Sequence, residues 1–373
     1  MVAMPGRADR PKVSPDTPTG RRVAAHGRSP SETHRRGTVF RGSLRVRLTL
    51  GMRRVLILGG TAWLGRETAR LLVGAGAEVT CVARGRSGSV PDGVTFVRAD
   101  RSRPGAFDAV TGEWDEVIEL AYAPEVVGPS LEALARRAAH WTLISTVSVY
   151  ARNDRAGDDE SATVVEPVEL SDYGQAKVAA ERASAAALGD RLLILRPGLI
   201  AGPGDPSDRF GYWPIRLARG GAVLTPVLEH RRVQVIDIAD LAAFVVRAGR
   251  QRLAGVINAV GSSTPMADFF AAVAAVTGFS GRLVQADDEW LLDHDVHYWM
   301  GPRSLPLWLP ATEVGFATRA NEAFLAAGGS LRPLPETIAR ALGDERRLGD
   351  DRDRRSGLTP DDEAGVMAEL AAR

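Results

Sequence analysis

Short apolar runs, separated by longer segments of mixed polarity, set the rhythm of this chain from residue 52 onward. Val55–Leu58 is apolar throughout, as a strand buried on both faces should be. "GGTAWLG" follows it, and then "RETARLLVGAG", whose apolar positions recur at helical spacing and end in a glycine stop. Strand, glycine loop and helix in that order open a βαβ unit. Further apolar runs at Val79–Ala83, Val94–Val97, Val117–Leu120, Thr142–Ser145 and Leu192–Leu195 alternate with helical or loop segments. That alternation predicts an α/β fold with a doubly wound parallel sheet and helices on both faces. Beyond Pro197 the spacing becomes irregular, prolines accumulate, and four of the seven tryptophans (Trp213, Trp290, Trp299, Trp308) fall there. A smaller second lobe is expected in that region, with Val233–Ile238 and Val256–Asn258 as strands that return to or border the main sheet.

Residues 1–51 break this rhythm. They are rich in Pro, Gly, Ser and Arg and carry no helix or strand period, the composition of disordered chain. Eleven Lys/Arg against three acids give them a formal +8, so the rest of the chain, 36 against 43, carries −7. An Arg-rich, acid-poor leader can be an organelle transit peptide. The strand that opens directly at Met52 favours the simpler reading, in which translation begins there. A mildly acidic body argues against nucleic acid or an anionic membrane as partner, because phosphate binding wants clustered positive charge. No run is long and apolar enough to span a bilayer, and the single cysteine, Cys81, fits a reducing cytoplasm.

Gly59, Gly60 and Gly65 allow a tight turn and bring backbone N–H groups and a helix N-terminus against a dinucleotide pyrophosphate. The second strand then ends in "CVARGR". An acid at that place would hold the ribose hydroxyl of NAD, whereas Arg84 and Arg86 suit a 2′-phosphate, which points to NADP ahead of NAD. The alternative is that both arginines are solvated loop charges.

Five motifs in order carry a resemblance: "GGTAWLG", Asp100 after the third strand, "STVSVY" at 145–150, "YGQAK" at 173–177 and "LRPGLIAGPGD" at 195–205. From about residue 53 to about residue 345 the chain resembles the extended short-chain dehydrogenase/reductase superfamily, in particular the NAD-dependent epimerase/dehydratase family. The resemblance implies a Rossmann domain with a C-terminal substrate-binding lobe, NAD(P) as hydride carrier, and a catalytic set of Thr146, Tyr173 and Lys177. It further implies that Gly59, Gly60, Thr61, Trp63, Leu64 and Gly65 form the cofactor loop, that Asp100 contacts the adenine, that Ala121 and Tyr122 pass the cofactor, and that two chains pair through the Tyr173 helix. Ala62 stands where many relatives have a middle glycine. The implied domains are a leader at 1–51, a Rossmann domain at 52–196, a substrate lobe at 197–345, and a charged linker with a closing helix at 346–373. Thr359 and Pro360 open that helix as N-cap and first helical residue.

The chemistry asks for the same residue types. An ordinary tyrosine is a poor base at pH 7, and a cation nearby favours its phenolate. Tyr173 and Lys177 are four apart on a helix, so they share a face. Lys177 is also the only lysine after residue 51, in a chain that otherwise writes arginine. A compact ammonium can polarise the phenol and donate to ribose hydroxyls where a planar guanidinium would not fit. Thr146 can hold the substrate oxygen.

Departures from the family narrow the reaction. Val147 and Ser148 replace the acid pair of dehydratases, which argues against dehydration. Leu199 replaces a substrate-holding Asn, which weakens the case for a nucleotide sugar. The expected function is hydride transfer between NADP, or NAD, and a carbonyl or secondary alcohol of a small sugar-like or natural-product substrate. The alternatives are an epimerase with retained cofactor and a non-catalytic, RNA-binding relative. His294 and His297 are a weak metal candidate with no completing ligand pattern, and the tryptophans of the second lobe suit core packing or an aromatic pocket.

Overall fold

The computed structural model describes residues 52–350 and 352–373, so the basic leader expected at 1–51 lies outside the described residues. The chain runs β1 (Arg54–Leu58), α1 (Trp63–Gly74), β2 (Glu78–Ala83), β3 (Val94–Arg98), β4 (Glu116–Glu119), α2 (Pro124–Leu134), β5 (Trp141–Ile144), α3 (Tyr173–Leu188) and β6 (Leu192–Pro197). Next come β7 (Leu199–Ala201), α4 (Arg209–Ala218), β8 (Ala222–Pro226), β9 (Arg232–Asp237), α5 (Ile238–Gln251) and β10 (Gly255–Ala259). The last part holds β11 (Ser263–Pro265), α6 (Met266–Thr277), β12 (Arg282–Ala286), α7 (Asp288–Asp293), β13 (His297–Trp299) and β14 (Ser304–Pro306). Helices α8 (Glu322–Ala326), α9 (Leu334–Leu348) and α10 (Pro360–Ala371) close it.

Seven strands form one sheet in the order β10-β6-β5-β4-β1-β2-β3, and every pair in it is parallel. This is the Rossmann-like, doubly wound arrangement, with its topological switch at β1 between β2 and β4. The apolar runs mark these strands to within two residues at either end. Val256–Asn258 returns to the main sheet as β10, paired with β6. Val233–Ile238 does not: as β9 it pairs with β7 and β11 in a separate three-stranded sheet.

Two apolar clusters cover the two faces of the main sheet. Leu64, Leu72, Leu241 and Val245 from α1 and α5 pack on one side, and Val127, Leu131, Ala180 and Leu188 from α2 and α3 on the other. A third core belongs to the C-terminal part, where Phe210, Trp213, Phe269, Phe270 and Trp308 are wholly buried. Three of the four late tryptophans (Trp213, Trp290, Trp308) are core residues there, while Trp299 packs only at its edge. Helix α10 adds Val366 to this core, and its Glu363 accepts from the backbone N–H of Leu224 (2.9 Å). Thr359 caps it through the N–H of Asp362. The charged stretch before it is tied down by ion pairs: Arg352 reaches Asp208 (2.6 Å) and Glu345, and Arg354 also reaches Glu345. His294 stacks on Trp290, and exposed His297 lies beside Asp295. Among the described residues no helix is long and apolar enough to cross a membrane.

Packing decides the sign of one helix substitution. Gly249 lies in α5, where exchange to Ala ordinarily gains about 1 kcal/mol of helix propensity. A Cβ there would overlap the carboxylate of wholly buried Glu116, which is pinned by Arg53 (2.6 Å) and Thr142 (2.8 Å) and cannot step aside. Gly249→Ala should therefore lose about 1–3 kcal/mol net. A urea midpoint lowered at unchanged slope would establish this; a raised midpoint would refute it.

Candidate functional site

The glycine loop leaves β1 at Gly59, whose φ of +98° suits only glycine. Gly65 then lets α1 approach the strand, because a Cβ there would lie 2.7 Å from the carbonyl oxygen of Gly59. Gly60 sits over Cys81, and a Cβ would strike its sulfur; burial pushes that thiol up to about 12. Ala62 is the N-cap of α1 and offers no side-chain acceptor to the first turn. The helix N-terminus is left for an external anion.

Around this loop lies a cavity of about 340 Å³. Gly59, Thr61, Arg84, Arg86, Asp100, Ala121 and Tyr122 line it, all expected from the sequence. Asp100 is oriented by the N–H and Oγ of Ser102, which with Arg84 nearby hold its carboxyl below the ordinary carboxylate range. Two expected residues turn elsewhere. The Trp63 indole donates to Pro203 O (2.8 Å), and the Leu64 side chain is buried in the sheet core. Neither residue lines the cavity.

Sequence reasoning missed Arg66. Its guanidinium donates to Thr61 O (3.2 Å) and Ser87 O (2.6 Å), joining the glycine loop to the loop that carries exposed Arg84 and Arg86. Only its position one residue after Gly65, on the first turn of α1, could have marked it. The cradle fits a dinucleotide: its glycines are required for close approach, and its far end is rich in arginine.

Thr146, Tyr173 and Lys177 converge beside this cavity. Thr146 follows β5 and caps a 3₁₀ turn through the N–H of Ser148. Tyr173 opens α3, whose N-cap is Asp172. Gly174 is what allows the meeting, since a Cβ there would lie 2.5 Å from Ser148 O. Thr146 Oγ1, bonded to the N–H (3.2 Å) and Oγ (3.3 Å) of Ser148, lies near enough to the Tyr173 hydroxyl to favour its phenolate. Tyr122, from the end of β4, packs edge-on against Tyr173 with centroids 5.1 Å apart.

Lys177 does not sit as the isolated charge pair would suggest. Its Nζ donates to Ile144 O (2.6 Å) and lies 5.0 Å from the Tyr122 ring and 5.9 Å from that of Tyr173. Burial pulls it down to about 8, against the fields of Glu119 and Glu181, which raise it. Tyr173 moves the opposite way. Burial raises its phenol above the ordinary value; Thr146 and the charge of Arg209 counter this, and Lys177 is not among the groups that do.

Beneath the lysine lies a wholly buried charge cluster. Glu119 pairs with Arg101 and accepts from the N–H of Ala121 (2.7 Å). Glu181 pairs two-pronged with Arg196 and accepts from Ser145. Arg196 also donates to Tyr150 OH (3.1 Å), which donates to Asn258 (2.6 Å).

A dinucleotide cradle at the switch point of a Rossmann sheet, with a Thr-Tyr-Lys group at its mouth, defines a class of nucleotide-cofactor proteins. Residues 55–132 and 129–260 match the NAD dependent epimerase/dehydratase family, and the chain belongs to it. It is 30% identical over 247 residues to the epimerase family protein SDR39U1 of Bos taurus, across 60% of this chain and 81% of that protein. Its fold is that of a UDP-glucuronic acid 4-epimerase from Bacillus cereus solved with NAD (TM-score 0.59, 16% identity, 79% of this chain and 99% of that one). A UDP-glucose 4-epimerase from Thermus thermophilus, also solved with NAD, aligns with a TM-score of 0.55 at 20% identity, over 79% of this chain and 99% of that one.

The cluster yields a stability prediction. Lys177, Arg101 and Arg196 are three cations against the two carboxylates Glu119 and Glu181, so removing the lysine leaves each carboxylate with its own arginine. Lys177→Met should stabilise the fold at pH 7 by roughly 1–3 kcal/mol. Since the folded value of about 8 lies below the ordinary 10.5, the unfolded chain binds the extra proton between them, and wild-type stability rises across that window. The advantage of Lys177→Met should be full below pH 8 and close toward pH 10.5. Melting curves at pH 7, 9 and 10 would decide it; a variant less stable than wild type at pH 7 would overturn it.

Proposed function

We propose that this protein is an NADP-dependent oxidoreductase that moves hydride between nicotinamide and a carbonyl or secondary alcohol of a small substrate. The observation that carries this reading is the neighbouring Thr146 and Tyr173 side chains beside a dinucleotide cavity lined by Arg84 and Arg86, whose loop Arg66 ties to the glycine loop. When bound, the nicotinamide supplies the hydride donor or acceptor. The protein's own groups handle the proton and the orientation.

Thr146 Oγ1 and the Tyr173 hydroxyl are positioned to hold one substrate oxygen between them. In the reductive direction Tyr173 gives its proton to that oxygen as the carbonyl becomes an alcohol, and in the oxidative direction it takes the proton back. Burial raises the phenol above its ordinary value, so it is protonated at pH 7 and available as the proton donor of the reductive direction. Lys177, anchored on Ile144 O under the two tyrosine rings, would serve the cofactor, its ammonium donating to the ribose hydroxyls, while Arg209 supplies the charge that favours the phenolate. Arg84 and Arg86 support NADP because a 2′-phosphate placed there would meet two cations, and the one carboxylate of the cavity lining among the described residues, Asp100, has its Oδ1 turned to Ser102.

A nucleotide-sugar epimerase with retained cofactor is the second reading, favoured by the solved relatives. Leu199 speaks against it: where an Asn would hold a sugar, this chain buries a leucine that shares a narrow crevice with Trp299 and Phe316. A cofactor that exchanges freely on dialysis supports the reductase, and one that stays bound through purification supports the epimerase.

Two substitutions test the assignment. Arg84→Asp should weaken NADPH binding by about tenfold, roughly 1.4 kcal/mol, and leave NADH unchanged or improved. Equal loss for both cofactors in a fluorescence titration would remove Arg84 from the 2′ position. Tyr173→Phe should lower kcat by about 10²-fold or more while the NADPH dissociation constant stays within about twofold. Retained turnover in that variant would end the proposed proton role.

A further inference from the structure

The loop and helix after β7 carry an arginine whose charge acts on the Tyr173 phenol and which forms no ion pair among the described residues. Arg209 is the first residue of α4. Its Nε donates to Ser207 Oγ (3.0 Å), while its two terminal nitrogens have neither a hydrogen-bond acceptor nor an ion pair among the described residues. Asp205 is the carboxylate that acts on it most, yet forms no ion pair with it; its Oδ1 accepts from the N–H and Oγ of Ser207, and its buried Oδ2 has no hydrogen-bond partner among the described residues. Burial pulls the Arg209 guanidinium down from its ordinary value, as expected of a cation that lacks a partner.

The surroundings are built to hold this side chain. The indole of Trp299 lies under the guanidinium, 5.0 Å from its carbon. Trp299 has a φ of +71°, a left-handed conformation that costs an ordinary residue of order 1–3 kcal/mol and persists only when its surroundings impose it. The C-terminal segment braces the loops on either side. Ser356 donates to Ser207 O (2.9 Å) and accepts from the N–H of Gly301 (3.1 Å), joining the Arg209 loop to the Trp299 loop. Asp208, itself at φ +58°, takes Arg352 on one oxygen and the N–H of Arg355 (2.8 Å) on the other. Its carboxylate is thereby withdrawn from Arg209. A cation stacked on one face, tethered at Nε and free at its fork is prepared for an oxyanion.

We propose that Arg209, stacked on Trp299 and tethered to Ser207, is the anion-recognition residue of the substrate cleft, so that the substrate is a carbonyl or alcohol compound bearing a carboxylate or phosphate close to the reacting carbon. This rests on the oxidoreductase reading of the same cleft and goes further by fixing the charge class of the substrate.

The test uses matched pairs on the full chain saturated with NADP⁺, so that binding is read without turnover. Acetoacetate is compared with methyl acetoacetate, and dihydroxyacetone phosphate with dihydroxyacetone, by quenching of tryptophan fluorescence. At least one anion should bind ten times or more tightly than its neutral partner, and which pair shows it separates carboxylate from phosphate. Arg209→Gln should abolish that preference, Arg209→Lys should restore part of it, and NADP⁺ affinity and melting temperature should be unchanged in both variants. The proposal is overturned if neither anion outbinds its neutral partner, or if Arg209→Gln keeps the preference. The two readings fail separately. Anion binding lost with Arg209 but no hydride transfer to any carbonyl would remove the oxidoreductase, whereas NADPH oxidation by acetoacetate or dihydroxyacetone phosphate at equal kcat/KM in wild type and Arg209→Gln would remove the anion subsite.

Discussion

Five charged side chains buried beneath the cleft floor hold this site together. Glu119 comes from the end of β4, Arg101 from the loop after β3, Lys177 and Glu181 from α3, and Arg196 from β6. Ser145, directly after β5, adds its hydroxyl to Glu181, and Asn258 of β10 is reached through Tyr150. The C-terminal ends of the sheet are thus joined to one another and to the helix that carries Tyr173. Charges withdrawn from water in this way are weak evidence for stability, because desolvation offsets most of their attraction. Their effect is on geometry: every member has a single set of partners, so strand ends and helix have one arrangement in which all are satisfied. The excess cation is the lysine, which is held by Ile144 O rather than by a carboxylate.

Close approach is the second constraint. Gly59, Gly65 and Gly174 stand where a Cβ would strain the backbone or meet it. The first two bring the N-terminus of α1 to the cavity, and the third brings α3 against the turn after Thr146. The cavity and the Thr-Tyr pair share a border because both depend on backbones that nearly touch. The C-terminal part closes over this arrangement through three segments, 203–208, 299–303 and 352–356, which are bonded to one another and, by the Trp63 indole, to the first turn of α1.

Much of the fold was legible because it is written in local patterns. Fully buried parallel strands need continuous apolar runs, and glycine loops need glycine, so β1 to β6 and the cofactor loop could be read directly. Local pattern could not say which sheet a strand joins: β9 and β10 look alike, yet only β10 finds a partner in β6. Within the site, the motif order marked Thr146, Tyr173 and Lys177. It did not reveal that Trp63 and Leu64 turn away from the cavity, nor that Arg66 bridges two loops, because one-letter spacing carries no side-chain direction.

The sequence by itself determined the α/β alternation, the glycine cradle and the residue types at the cleft, since each follows from the chemistry of a few consecutive positions. Only the tertiary structure decided how their charges act. Lys177 donates to Ile144 O, with burial lowering its pKa against two carboxylates from different elements, and the Tyr173 phenol feels Arg209, thirty-six residues away in sequence. Spacing along a helix fixes which residues share a face. The electric field at a buried group is fixed by whatever the rest of the fold brings within a few ångströms of it, and that is a property of the assembled chain.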